Sequence, residues 1–212
     1  MSTNMTPTEL LEAFELLLAT ATRPEVAAKL LLFAYDEVAR QVDEALLAEA
    51  RAAYITQQKE QTEAKAATLT EDELQATARS AFIQLHRLIQ LADRTQPKLN
   101  VKHLMSTKRL PNGEAAFLKY TTALLGRLES QAQIVTALAK FGFTPERIAE
   151  LKALLEAVRQ ADVTQQKEIA EAKQATLIYQ DRIAQVRIAH RVLKTLAEES
   201  LADNAELLKL LG

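Results

Sequence analysis

An all-α chain is expected: an elongated helical bundle of two tandem pseudo-symmetric three-helix repeats with a short C-terminal helix. Three features of the sequence lead there. Ala (37 residues) and Leu (34 residues), both strong helix formers, make up a third of the 212 residues. Gly (4) and Pro (5) are scarce, so turns are few and elements long. The third is an internal repeat at an offset of 108 positions. Ile55-Thr56-Gln57-Gln58-Lys59-Glu60 lies on Val163-Thr164-Gln165-Gln166-Lys167-Glu168, and Glu63-Ala64-Lys65 on Glu171-Ala172-Lys173. Residues 26–69 and 134–177 share 18 identities in 44 positions without a gap. Composition alone would give roughly 10% identity. The division that follows is residues 1–96 (first helical repeat), 97–113 (basic connector) and 114–212 (second repeat plus C-terminal helix), folded as one unit.

The elements follow in order. Thr6-Pro7-Thr8-Glu9 is a capping box with Pro at the first helical position, so a helix starts there. Leu10, Leu11, Phe14, Leu17, Leu18 and Ala21 form its apolar face. Pro24 should kink it. Ala132 stands at the corresponding place, so the helix over Glu114–Lys140 should be straighter. Phe141-Gly142-Phe143-Thr144-Pro145-Glu146 reads as stop, turn, cap and restart, and Asp36 caps the matching helix of the first copy. That second helix is expected over 37–67 and 145–175. Thr70-Glu71-Asp72-Glu73 is another capping box and predicts a third helix over 71–93. No turn signal marks the same junction in the second copy. An unbroken helix there would exceed 50 residues, about 75 Å, and compactness argues for a hairpin. Asp203-Asn204-Ala205-Glu206 caps a final short helix bearing Leu207, Leu208, Leu210 and Leu211, which needs the body or a partner helix to cover it.

Compartment and charge narrow the function classes. The chain has no Cys, which excludes disulfides, thiolate metal sites and a Cys nucleophile and is compatible with the cytoplasm. Met1–Thr8 carries no basic residue of the kind that opens a signal peptide. The longest uncharged apolar-leaning run near the N-terminus, Leu16–Thr22, is far short of a membrane span. A net charge of −2 gives no global attraction to nucleic acid.

Three groups of residues are candidates for a site. The first is a polar seam. Val42, Leu46, Ala50 and Ala53 continue at helical spacing into Gln57 and Glu60, and the second copy repeats this with Gln165 and Glu168. The seam is read as solvated last turns with Lys59–Glu63 and Lys167–Glu171 pairs, as a buried polar layer that fixes register, or as a ligand or metal site. Two carboxylates and two amides would suit a hard cation such as Mg²⁺ or Mn²⁺, but the Glu-x-x-His pair of di-iron bundles is missing. No metal or cofactor is assigned.

The second is the connector, where Arg94, Lys98, Lys102, Lys108 and Arg109 occur with His103 and no acidic residue. It reads as a phosphate- or nucleic-acid-contacting arm, or as a crossover loop tacked down by Leu99, Val101, Leu104 and Leu110. With no interleaved aromatics, the crossover loop is preferred. The third is the Leu207, Leu208, Leu210 and Leu211 cluster. His86 and His190, each followed by Arg, are expected at surface or boundary positions. Tyr35, Tyr54, Tyr120 and Tyr179 are expected to pack. No Gly-rich phosphate loop, nucleophile elbow or zinc-ligand spacing is present. The expectation is therefore a non-catalytic scaffold or protein-interaction module that self-associates or binds a partner helix. The alternatives are a carrier of a small apolar ligand and an anionic-partner binder acting through the connector.

Overall fold

The computed structural model describes residues 5–97, 101–105, 109–204 and 206, with the side chain of Lys102 left out. Among the described residues the chain is all-helical, with six α-helices and no strand: α1 (Pro7–Ala21), α2 (Pro24–Leu30), α3 (Glu37–Thr95), α4 (Glu114–Glu129), α5 (Ala132–Ala139) and α6 (Pro145–Ser200). No helix among them is long and apolar enough to cross a membrane.

Local chemistry sets the helix starts. Thr6 caps α1 with a full capping box: the Glu9 amide donates to Thr6 Oγ1 at 3.3 Å, and the Thr6 amide donates to Glu9 Oε2 at 2.7 Å. Asp36 Oδ1 accepts from the Ala39 amide at 2.9 Å and so caps α3. Before α3 the backbone reverses through Ala34 (φ 59°), and before α6 through Gly142 (φ 79°), both left-handed. These two residues correspond at the 108-position offset. Gly adopts that conformation freely, whereas Ala pays a steric penalty of about 1 kcal/mol.

Pro24 does more than kink the first helix. Arg23 is extended (ψ 132°), as a residue before proline tends to be, and α1 and α2 are separate helices. The straighter helix expected over Glu114–Lys140 is not found, because α4 ends at Glu129 and α5 begins at Ala132. Gln131 leaves helical geometry (φ −130°, ψ 77°). The Ser130 hydroxyl donates to the Arg127 carbonyl at 2.8 Å, taking up a helix-end acceptor.

The long helices depart furthest from the expected pattern. α3 runs unbroken for 59 residues, through the junction expected at Thr70, and α6 for 56 residues, so there is no hairpin in the second copy either. Thr70 does not cap. Its hydroxyl donates to the Ala66 carbonyl at 3.0 Å, one turn back within the helix. The buried stripe explains why. Ala67, Glu71, Leu74, Ala78, Phe82, Leu85, Ile89 and Ala92 follow one another at spacings of three and four with no change of phase. A cap stabilises by about 1 kcal/mol, whereas turning the chain there would take a whole stripe out of register.

The chain divides into two compact units, one formed by Met1–Glu63 with Ile169–Gly212 and the other by Ala64–Glu168. The division falls inside α3 and α6. In the first unit the two helices run antiparallel: Glu49 pairs with Arg182, Tyr54 stacks near Tyr179, and Gln57 meets Thr176. α1 and α2 cover them, and Phe14, Leu18, Val26, Leu30, Ala50, Val186, Leu193 and Leu201 fill the core. In the second unit Phe82, Leu85 and Ile89 of α3 pack with Phe117, Leu124 and Leu128 of α4 and with Leu155 and Val158 of α6. Phe82 and Phe117 meet edge to face with centroids 5.8 Å apart, and the Arg79 guanidinium lies 4.6 Å from the Phe117 ring.

Candidate functional site

The polar seam lies within continuous helices rather than at their ends. Gln57 is buried in the first unit, and its side-chain amide donates to Thr176 Oγ1 at 3.4 Å. Gln165 is half-buried in the second unit and donates to Glu71 Oε2 at 3.2 Å. Glu60 and Glu168 are half-buried beside Lys59 (3.5 Å) and Lys167 (3.6 Å). The expected Lys59–Glu63 pair forms at 3.5 Å.

Glu71, the partner of Gln165, lies on the periodic stripe of α3, but the capping-box pattern assigned it to a helix start. It is buried and also accepts from the Gln75 amide. Burial, reinforced by the negative charges of Glu114, Asp72 and Asp162, pushes its carboxyl above the usual range. The position 108 residues on is Tyr179, which packs near Tyr54 with ring centroids 5.5 Å apart.

His86 is not at the surface. It is buried in the second unit, and its Nε2 lies 2.6 Å from the hydroxyl of buried Tyr120. Burial lowers its pKa, so the neutral ring is favoured. The spacing that faces His86 inward is the same stripe that holds Leu85 and Ile89, and the Arg beside it obscured this. His190 is half-buried, edge-on to Phe14 at 6.1 Å, with its pKa lowered by burial and then by Lys194. Tyr35 donates its hydroxyl to Asp43 Oδ2 at 3.0 Å. Burial, and then the neighbouring Asp43, raise the pKa of this phenol.

Of the connector cations, Arg94 lies in the last turn of α3 and Arg109 is exposed and engaged. Lys98, Lys108 and the Lys102 side chain lie outside the described residues, as does Leu99. Val101 and Leu104 are fully buried in the second core and Leu110 packs against it. Guanidiniums hold the backbone down: Arg79 donates to the carbonyls of Pro111 (2.9 Å) and Asn112 (2.6 Å), and Arg127 to that of Leu104 (3.0 Å). His103 meets Gln131 Oε1 at 3.1 Å. The C-terminal cluster of Leu207, Leu208, Leu210 and Leu211 lies outside the described residues.

One surface stands out that the sequence alone did not single out. In the first unit the turn before α3 and the first turns of α3 expose large apolar side chains: Leu31 (59%), Leu32 (82%), Phe33 (45%), Val38 (66%) and Val42 (62%). A groove of about 460 Å³ adjoins the turn, lined by Leu30, Leu31, Tyr35, Asp36 and Arg40 among others. The residues 108 positions on are Ala139, Lys140, Phe141, Glu146 and Glu150. At that offset Lys140, Glu146 and Glu150 stand against Leu32, Val38 and Val42, while Ala139 and Phe141 are apolar.

Comparison with known proteins gives no matching family model, no matching curated protein and no matching solved structure.

Proposed function

We propose that the chain is a duplicated, non-catalytic helical scaffold that associates with a second copy of itself through the apolar surface of its first unit. The observation that carries this reading is the exposure of Leu31, Leu32, Phe33, Val38 and Val42 around one turn. Apolar surface concentrated in this way marks interaction sites more than chance does. Lys140, Glu146 and Glu150 at three of the corresponding positions indicate that the turn does not need apolar residues in order to fold. The repeat supports descent of both halves from one unit of three helices, arranged as a pseudo-symmetric bundle. The lack of Cys fits a reducing compartment such as the cytoplasm.

The test is light scattering over a range of concentrations on the wild type and on the Leu32→Lys, Val38→Glu, Val42→Glu variant, which gives the first copy the residues of the second. The reading expects a mass above the 23.5 kDa of one chain that falls to one chain in the variant. A wild type that stays monomeric throughout would overturn it. In the connector, Val101 and Leu104 support the crossover-loop reading over an arm for an anionic partner.

A further inference from the structure

We infer that a groove in the second unit is a binding site for a small amphipathic carboxylate, an apolar chain ending in an anionic head. The groove lies between the C-terminal part of α3 and the turn that joins α5 to α6, and has a volume of about 410 Å³. Pockets for small ligands run from about 300 to 1,000 Å³, with apolar walls and a few placed polar groups. Leu85, Leu88, Phe143 and Leu151 supply the apolar wall. Gln84, Arg87, Arg147 and Glu150 stand at the exposed rim.

The rim is cationic on balance. Arg147 pairs with Glu150 at 3.2 Å, so those two charges offset each other. Arg87 has no ion pair or hydrogen bond among the described residues, which leaves its fork of donors open beside the apolar wall. A guanidinium in that setting matches a carboxylate in both charge and shape, and takes it with two parallel hydrogen bonds. An apolar chain attached to the carboxylate would lie against Leu85, Leu88 and Phe143.

The offset of 108 positions provides an internal control. Gln84, Arg87, Arg147 and Glu150 correspond to Val192, Thr195, Ala39 and Val42. The same helical register in the first unit therefore accommodates uncharged side chains at all four places. The charges of the second unit are additions to the scaffold, not a requirement of its packing.

The experiment is calorimetric titration of the full chain with decanoate and, in parallel, with decanol. Decanoate should bind several-fold more tightly than decanol. Arg87→Gln should weaken decanoate several-fold, the effect of losing an exposed ion pair, and leave decanol unchanged. Glu150→Gln, which releases Arg147, should tighten decanoate. Arg87 is exposed, and matching circular dichroism of variant and wild type would confirm that folding is intact. Equal affinity for acid and alcohol, no binding of decanoate at millimolar concentration, or indifference to Arg87→Gln would each overturn the proposal.

Discussion

Tyr120→Phe removes one oxygen atom from the second core and leaves the ring in place. In the native protein that oxygen lies 2.6 Å from His86 Nε2, and both residues are buried. The variant keeps the aromatic contact, with ring centroids 5.5 Å apart, but leaves the imidazole nitrogen buried without a partner. An unsatisfied buried polar group costs about 1–3 kcal/mol. For a chain of this length each kcal/mol lowers Tm by about 2–4 °C, so the drop should fall between about 2 and 12 °C. His86→Leu removes the other member of the contact and should also lower Tm. The double variant removes both polar groups and should cost less than the sum of the singles, with a coupling of about 0.5–3 kcal/mol. Thermal unfolding followed by circular dichroism at pH 7.5 measures all three. Single variants within about 1 °C of the wild type, or a double variant that is strictly additive, would refute the assignment of this pair as a coupled, buried hydrogen bond.

Burial holds the His86 pKa below its ordinary 6.5 in the folded state, so the unfolded chain takes up the proton first. The stability linked to His86 should be full above about pH 6.5 and fall as pH drops from there to the folded pKa, by at most about 1.4 kcal/mol per pH unit. Denaturant unfolding at a series of pH values should show this slope shrinking in His86→Leu. Glu71 is shifted the other way, its raised pKa marking a charge that folding disfavours. Glu71→Gln should therefore raise Tm at pH 7.5, and the gain should vanish once the pH is low enough to protonate Glu71 in the folded protein. Ala34 and Gly142 share a left-handed backbone, and nothing lies within 4 Å of where a Cβ would sit on Gly142. Ala34→Gly should stabilise and Gly142→Ala destabilise, each by about 1 kcal/mol, as read from denaturant midpoints.

Helix starts were legible in the sequence where a side chain meets an amide close by in the chain. Thr6 with Glu9, and Asp36 with Ala39, are cases of this kind. The same rule misled at Thr70, because a capping box and a mid-helix threonine look alike until the phase of the buried stripe on both sides is compared. Leu74 and Ala78 continue the stripe of Ala64 and Ala67, and that continuity was present in the residues. Each compact unit draws its two long-helix segments from different halves of the chain, so a hairpin within one half is not needed for compactness. The break at Gln131 could not be anticipated from a proline, since none is there; it rests on Ser130 bonding its own helix end. In the candidate sites, the spacing of Gln57 and Gln165 put them on the inward seam. Their partners Thr176 and Glu71 lie 119 and 94 residues away, beyond the reach of any local pattern. The charge of Arg87 suggests a surface position, whereas His86 shares the buried register of Leu85 and Ile89.

Self-association through the apolar surface of the first unit is tested most directly by the mass of the particle in solution. Light scattering should give an assembly larger than one chain for the wild type. The Leu32→Lys, Val38→Glu, Val42→Glu variant, measured beside it, should give a single chain of 23.5 kDa. A wild type that scatters as one chain at every concentration, or an assembly that the three substitutions leave intact, would contradict it.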